Sequence, residues 1–234
     1  SEMMRGHRTR HYAFEGNAGD RVRLALATPA ETAALHLGRG PEETIASAGA
    51  GDGAPATLIA ILPETRRYQV QVHLPVAAEG AAAAVPFTLD FERRAAGPPR
   101  EPRAIRTGET AAGELGLGSN DAAEPYSEGT RILVETYRLA VEAGRPVTVT
   151  LESSAFDPFL EAGDMTAIGF ASALGNDDYG DGLNSRLVLT PERSGSVVLR
   201  VRALGTGTGP FRLTVAPGAA APVEGAQPDD HDHH

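Results

Sequence analysis

The chain has 234 residues, a formal net charge of -10, a pI near 5.2, 41% hydrophobic residues and only 5% aromatic residues. The acidic balance excludes a nucleic-acid footprint, which needs a clustered basic face to displace counterions from phosphate. Every basic residue other than His is Arg and there is no Cys, so lysine Schiff bases, P-loop lysines, disulfides, thiolate nucleophiles and Cys-ligated zinc are unavailable.

The length fits two domains of about 100 residues each, both able to bury a core. With no Trp, those cores must come from aliphatic strand faces. No apolar run approaches the ~20 residues of a membrane span. No signal-peptide apolar stretch opens the chain, which leaves a cytoplasmic protein or one that begins after cleavage.

In chain order, Tyr12-x-Phe14 and then Ala18-Gly19-Asp20-x-Val22-x-Leu24-x-Leu26 alternate apolar and polar positions around an Ala-Gly turn, the period-two pattern of a half-buried hairpin. Residues 30–37 carry a weak helical signal, enough for a turn or two, while Leu35-His36-Leu37 within them alternates as an edge or surface strand position would. Residues 45–54 form a glycine-rich turn almost free of acids. Pro63-Glu64 leads into Tyr68-x-Val70-x-Val72, and Pro86-Phe87-x-Leu89-x-Phe91 closes this half. Residues 93–106, rich in Pro and Arg, are expected as an extended linker.

The second half repeats the first block by block. Residues 128–141 have mixed apolar spacing, but their β-branched content favours strand. Tyr137-x-Leu139, then Ala143-Gly144-Arg145-x-Val147-x-Val149-x-Leu151, reproduces the first hairpin with identical spacing. Pro191-Glu192 leads into Val197-x-Leu199-x-Val201, and Pro210-Phe211-x-Leu213-x-Val215 matches the closing strand. Three blocks in the same order imply a duplicated fold. The expectation is an all-β protein of two tandem antiparallel, jelly-roll-like β-sandwiches. The first spans residues 1–92 and the second 107–216, with the linker over 93–106. Residues 217–234 are expected as a flexible Asp/His-rich tail, lacking apolar periodicity to offset the entropy of ordering.

Chemistry concentrates in residues 153–215. The step Phe156-Asp157-Pro158-Phe159-Leu160 precedes the acidic glycine loop Asn176-Asp177-Asp178-Tyr179-Gly180-Asp181-Gly182-Leu183-Asn184, which places several oxygens between two strands. A hard cation such as calcium takes six to eight oxygen ligands, and glycine turns let carboxylates converge. The loop is not an EF-hand, because the D-x-[DN]-x-[DN]-G register and the closing Glu are missing. The same residues also suit Asx-turns in a bulged hairpin that needs no metal. Asp157, flanked by aromatic rings and Pro158, must be paired if buried, either with Arg186 or backbone amides or with a cation.

The order of these motifs resembles the bacterial pre-peptidase C-terminal (PPC) domain family, an accessory module of secreted peptidases related to the collagen-binding domains of clostridial collagenases. The resemblance implies a noncatalytic exported module, periplasmic or secreted, that contacts an envelope or extracellular polymer or a protein partner. The stretch of the first half that matches the acidic loop, residues 45–54, keeps its glycines and has lost nearly all its acids, so any calcium site is expected to be single and in the second domain. The polar positions matching the family are Asp157, Asn176, Asp177 and Asp178, with Asp181 in the same loop. Glu135 stands where the family usually has Asp before its first Tyr-x-Phe strand, and Asp121, in Gly118-Ser119-Asn120-Asp121, is similar to the acidic approach segment of the collagen-binding relatives.

A second reading assigns transition-metal binding (zinc, copper or nickel) to the tail, where His231, His233 and His234 alternate with acids. An enzymatic reading finds no footing: no G-x-S-x-G elbow, H-E-x-x-H helix or comparable signature occurs.

Overall fold

The structure, a computed structural model, describes residues 7–30, 32–40, 42–50, 55–75, 85–98, 100–120, 124–167, 169–179 and 184–218. Every regular element among them is a strand. In chain order these are β1 (His7–Gly16), β2 (Arg21–Ala27), β3 (Ala34–Gly38), β4 (Thr44–Gly49), β5 (Ala56–Ile61), β6 (Arg66–Pro75), β7 (Thr88–Arg94), β8 (Arg103–Ile105) and β9 (Thr110–Leu115). There follow β10 (Glu124–Pro125), β11 (Arg131–Ile132), β12 (Val134–Val141), β13 (Val147–Glu152), β14 (Pro158–Thr166), β15 (Gly169–Asn176), β16 (Ser185–Leu189), β17 (Gly195–Ala203) and β18 (Gly209–Pro217). No helix among the described residues is long and apolar enough to cross a membrane.

The chain divides into two compact units, the first formed by Ser1–Arg100, Gly116–Val134 and Gly205–Gly207. It holds one sheet of order β1-β6-β3-β4 and another of order β5-β2-β7. All these neighbours run antiparallel. The inward positions of both sheets meet in one aliphatic core that includes Leu24, Leu26, Leu35, Leu37, Leu58, Val70 and Val72. The turn or two of helix expected over residues 30–37 is replaced by β3. Leu35 and Leu37 are both fully buried while His36 between them is not, and only a period of two can bury the first pair together.

The second unit comprises Glu101–Leu115, Glu135–Leu204 and Thr208–His234. Its sheets have orders β15-β14-β17-β12-β8 and β16-β13-β18-β9. Here β8 pairs with β12 in parallel, Tyr137 opposite Arg103 and Leu139 opposite Ile105. The other neighbours in these sheets are antiparallel. Within the stretch expected as linker, Arg93 and Arg94 close β7 and Arg103–Ile105 form β8. These last three residues follow Pro102 and keep the free N–H groups that a ladder requires.

The Ala-Gly turns are built alike. Gly19 and Gly144 both have positive φ, +82° and +67°, which costs a residue without Cβ nothing. Their N–H groups donate to Leu62 O at 2.7 Å and to Pro191 O at 2.8 Å. In the first unit the turn is also held by the buried Asp20, whose carboxylate accepts from the N–H groups of Asn17 and Ala96 at 3.0 and 3.2 Å.

Candidate functional site

Asp157 sits in the bend between β13 and β14, just ahead of Pro158, the first residue of β14. Phe156, its neighbour, is buried at 8% exposure, and Asp157 itself is half-buried. Its main-chain carbonyl accepts from Leu204 N–H at 2.8 Å, which fixes the backbone. Its Oδ1 is out of solvent and makes no hydrogen bond with the described residues. A carboxylate oxygen in that position holds charge at a cost unless a cation or donor compensates. Its pKa is accordingly raised above the ordinary Asp value. Burial is the largest cause, followed by the charges of Asp178 and then Asp177.

The strand order brings those acids to Asp157. Asn176 ends β15, paired with Leu160 of β14, so the loop begins beside the Phe-Asp-Pro step. Ser185, fully buried at the start of β16, ties the two together. Its Oγ donates toward Pro158 O at 2.5 Å and lies 3.2 Å from Asp177 O. Asn176 Oδ1 accepts from Arg186 N–H at 3.1 Å, closing the base of the loop as an amide cap. Asp178 remains exposed.

Arg186, one expected partner for Asp157, is used elsewhere. Its guanidinium lies 3.5 Å from the centre of the Tyr179 ring, a cation–π stack within the loop region. Glu135 is buried in β12 and forms an ion pair at 3.5 Å with Arg103 of β8, whose guanidinium lies 5.5 Å from the Tyr137 ring centre. The Tyr137 phenol is pushed up to about 12, mainly by burial, with Arg103 opposing and Glu135 adding to the rise. No observation joins Glu135 to Asp157 or to the loop acids. Asp121, Asp181, His231, His233 and His234 lie outside the described residues. Among the described residues, no group of three or more His, Cys, Asp or Glu side chains is arranged to hold a metal.

One arrangement went unread in the sequence. On the sheet carrying β14 and β17, Arg202 lies 3.8 Å from the Phe159 ring centre and donates to Glu161 at 3.1 Å, while Arg200 lies 4.5 Å from the Phe170 ring centre and pairs with Glu161 at 3.6 Å. The available signal was the two Arg residues at alternate positions of β17, level with Phe159 and Glu161 of β14. It stiffens the sheet beside the Phe-Asp-Pro step and presents no reactive group.

The sequence matches no protein-family model and no curated protein. Among solved structures, the chain is similar to the pre-peptidase C-terminal domain of a collagenase from Bacillus anthracis, with 16% identity and a TM-score of 0.35 over 51% of this chain and 98% of that one. It is also similar to vicilin from Corylus avellana (hazelnut), at 11% identity and a TM-score of 0.16, covering 88% of this chain and 74% of that one.

Proposed function

We propose that the chain is a noncatalytic binding or stability module, exported and held beside an envelope or extracellular polymer or protein, with its second unit ordered by one calcium ion. The observation that carries the calcium reading is Asp157 Oδ1. It is buried without a hydrogen bond and lies in the field of Asp177 and Asp178. An oxygen with that much unmet demand suits a hard cation, which would relieve its desolvation and the mutual repulsion of the acids together.

Asp157, Asp177 and Asp178 would hold the ion, with Asn176 positioned by its bond to Arg186 N–H, and Asp181 the further acid of the loop. The ion supplies charge neutralisation and no reaction. The noncatalytic and exported parts rest on the resemblance of the Phe-Asp-Pro step and Asn-Asp-Asp loop to the PPC family. The test is a calcium titration of chelator-stripped protein followed by thermal unfolding. Calcium should raise the melting temperature of the unaltered chain and leave that of Asp177→Ala/Asp178→Ala unmoved, since a ligand that binds only the folded state stabilises it by mass action. An unmoved melting temperature in the unaltered chain would reduce the loop to a turn.

A further inference from the structure

The strand order of the first unit, β4-β3-β6-β1 with β5-β2-β7, recurs in the second as β15-β14-β17-β12 with β16-β13-β18, and each sheet there carries one strand more. β8 pairs with β12 and β9 with β18, so residues 103–115 cross from one sheet to the other and close that side. In the first unit the corresponding strands, β1 and β7, end their sheets among the described residues.

Matched positions record the difference. Tyr12 is 44% exposed where Tyr137 is 1%, and Phe91 is 47% exposed where Val215 is 0%. Phe14, Phe87 and Leu89 are half-buried, whereas Leu139, Phe211 and Leu213 are buried. In the first unit Tyr12, Phe14, Phe87, Leu89 and Phe91 line an open apolar cleft of about 460 Å³, with Leu24 and Val70 at its wall. A strand edge with unpaired backbone groups beside an apolar cleft is a template for an added strand: main-chain bonds give affinity and alternate side chains enter the cleft.

Charge selects the occupant. In the second unit Arg103 of β8 meets the buried Glu135 at 3.5 Å, two residues before Tyr137. Two residues before Tyr12 the first unit has Arg10, exposed, with Arg8 also exposed on the same strand. The sign at the edge is reversed, so the strand that fits β1 needs a carboxylate where β8 carries Arg103. It needs an apolar side chain where β8 buries Ile105.

We propose that the first unit binds an extended acidic–apolar segment of a partner protein, added along β1 and over this cleft as β8 is added to β12. The proposal rests on reading the chain as a noncatalytic binding module and does not involve calcium.

The test uses the full chain, in chelator, and two labelled synthetic peptides spanning residues 101–115, one unchanged and one carrying Arg103→Glu, followed by fluorescence anisotropy. The Arg103→Glu peptide should bind the unaltered chain about tenfold or more tightly than the unchanged peptide, the order expected for one close interfacial charge pair. Arg10→Glu should reverse that preference, and Phe91→Arg, at an exposed position, should remove binding of both peptides without lowering the melting temperature. Equal affinity for the two peptides, no saturable binding of either, or a preference unmoved by Arg10→Glu overturns the proposal. So does self-association by sedimentation that Phe91→Arg abolishes, which would seat a second copy there, or uptake of an anilinonaphthalene dye that neither peptide displaces, which would make the cleft a small-molecule cavity. The calcium shift of the second unit is read separately, so failure here and failure of the calcium reading are distinguishable.

Discussion

A few buried ionisable groups set how the second unit responds to pH and to cations. Asp157 has a raised pKa, so the folded chain binds its proton more tightly than the unfolded chain does. The stabilisation that goes with the proton is therefore complete below the ordinary Asp range and is lost as pH rises through the raised value. In chelator, Asp157→Asn should melt at or above the temperature of the unaltered protein at neutral pH. In excess calcium the order should invert, because the unaltered chain gains the ion and the variant does not. Thermal unfolding of both proteins in the two buffers checks this, and a variant less stable than the parent in chelator would count against it.

Tyr137 follows the same sign at the other end of the scale. With its phenol pushed up to about 12, the folded state keeps a proton that the unfolded chain releases near the ordinary Tyr value of about 10. Stability should therefore fall as pH rises through that window, and alkaline absorbance compared with that of Tyr137→Phe should show Tyr137 ionising late. Arg103→Gln leaves Glu135 without this cation and removes the guanidinium that opposes the rise at Tyr137. Because Arg103 is half exposed, the cost should be modest, on the order of 1 kcal/mol by denaturant unfolding.

At the scale of the element, β9 illustrates how little is needed to close a sandwich. Gly113 lies opposite Phe211, and a Cβ there would collide with the Phe211 ring, which sits over the glycine. Gly113→Ala should push that ring from its place and destabilise the second unit by about 1–3 kcal/mol, the usual range for overpacking. Ser185→Ala should cost about 1 kcal/mol by removing the hydroxyl bond that anchors β16 to Pro158. It should also weaken any calcium response, because the same hydroxyl positions Asp177. Chemical denaturation with and without calcium separates the two effects.

Most strands were legible because period two is a strong signal when one face is buried. Val22-x-Leu24-x-Leu26 and Val147-x-Val149-x-Leu151 appear in β2 and β13 with those residues inward. Residues 30–37 carry two local signals, a weak helical one and the alternation Leu35-His36-Leu37, and the folded chain follows the alternation. β8 gave no signal: Arg103-Ala104-Ile105 is too short for a period, and only its pairing with β12 makes it a strand. The approach of Asp157 to the loop acids lies beyond any local spacing, since it depends on β14 pairing with β15 and on Ser185 bridging the two segments. The loop's composition displays its carboxylates and amides, but no local pattern shows that the oxygen buried without a donor belongs to Asp157, ahead of β14.

Each of the two all-strand units buries its own aliphatic core and leaves loops and sheet edges to carry chemistry, the usual division of labour in β-sandwiches. In the proposed function, Asp157 and the loop acids hold calcium and the ion orders the second unit. The most direct measurement is thermal unfolding of chelator-stripped protein across a calcium titration, with the Asp177→Ala/Asp178→Ala variant in parallel. A saturable rise in melting temperature is expected for the unaltered chain and none for the variant; identical, calcium-independent unfolding of the two would overturn the calcium proposal.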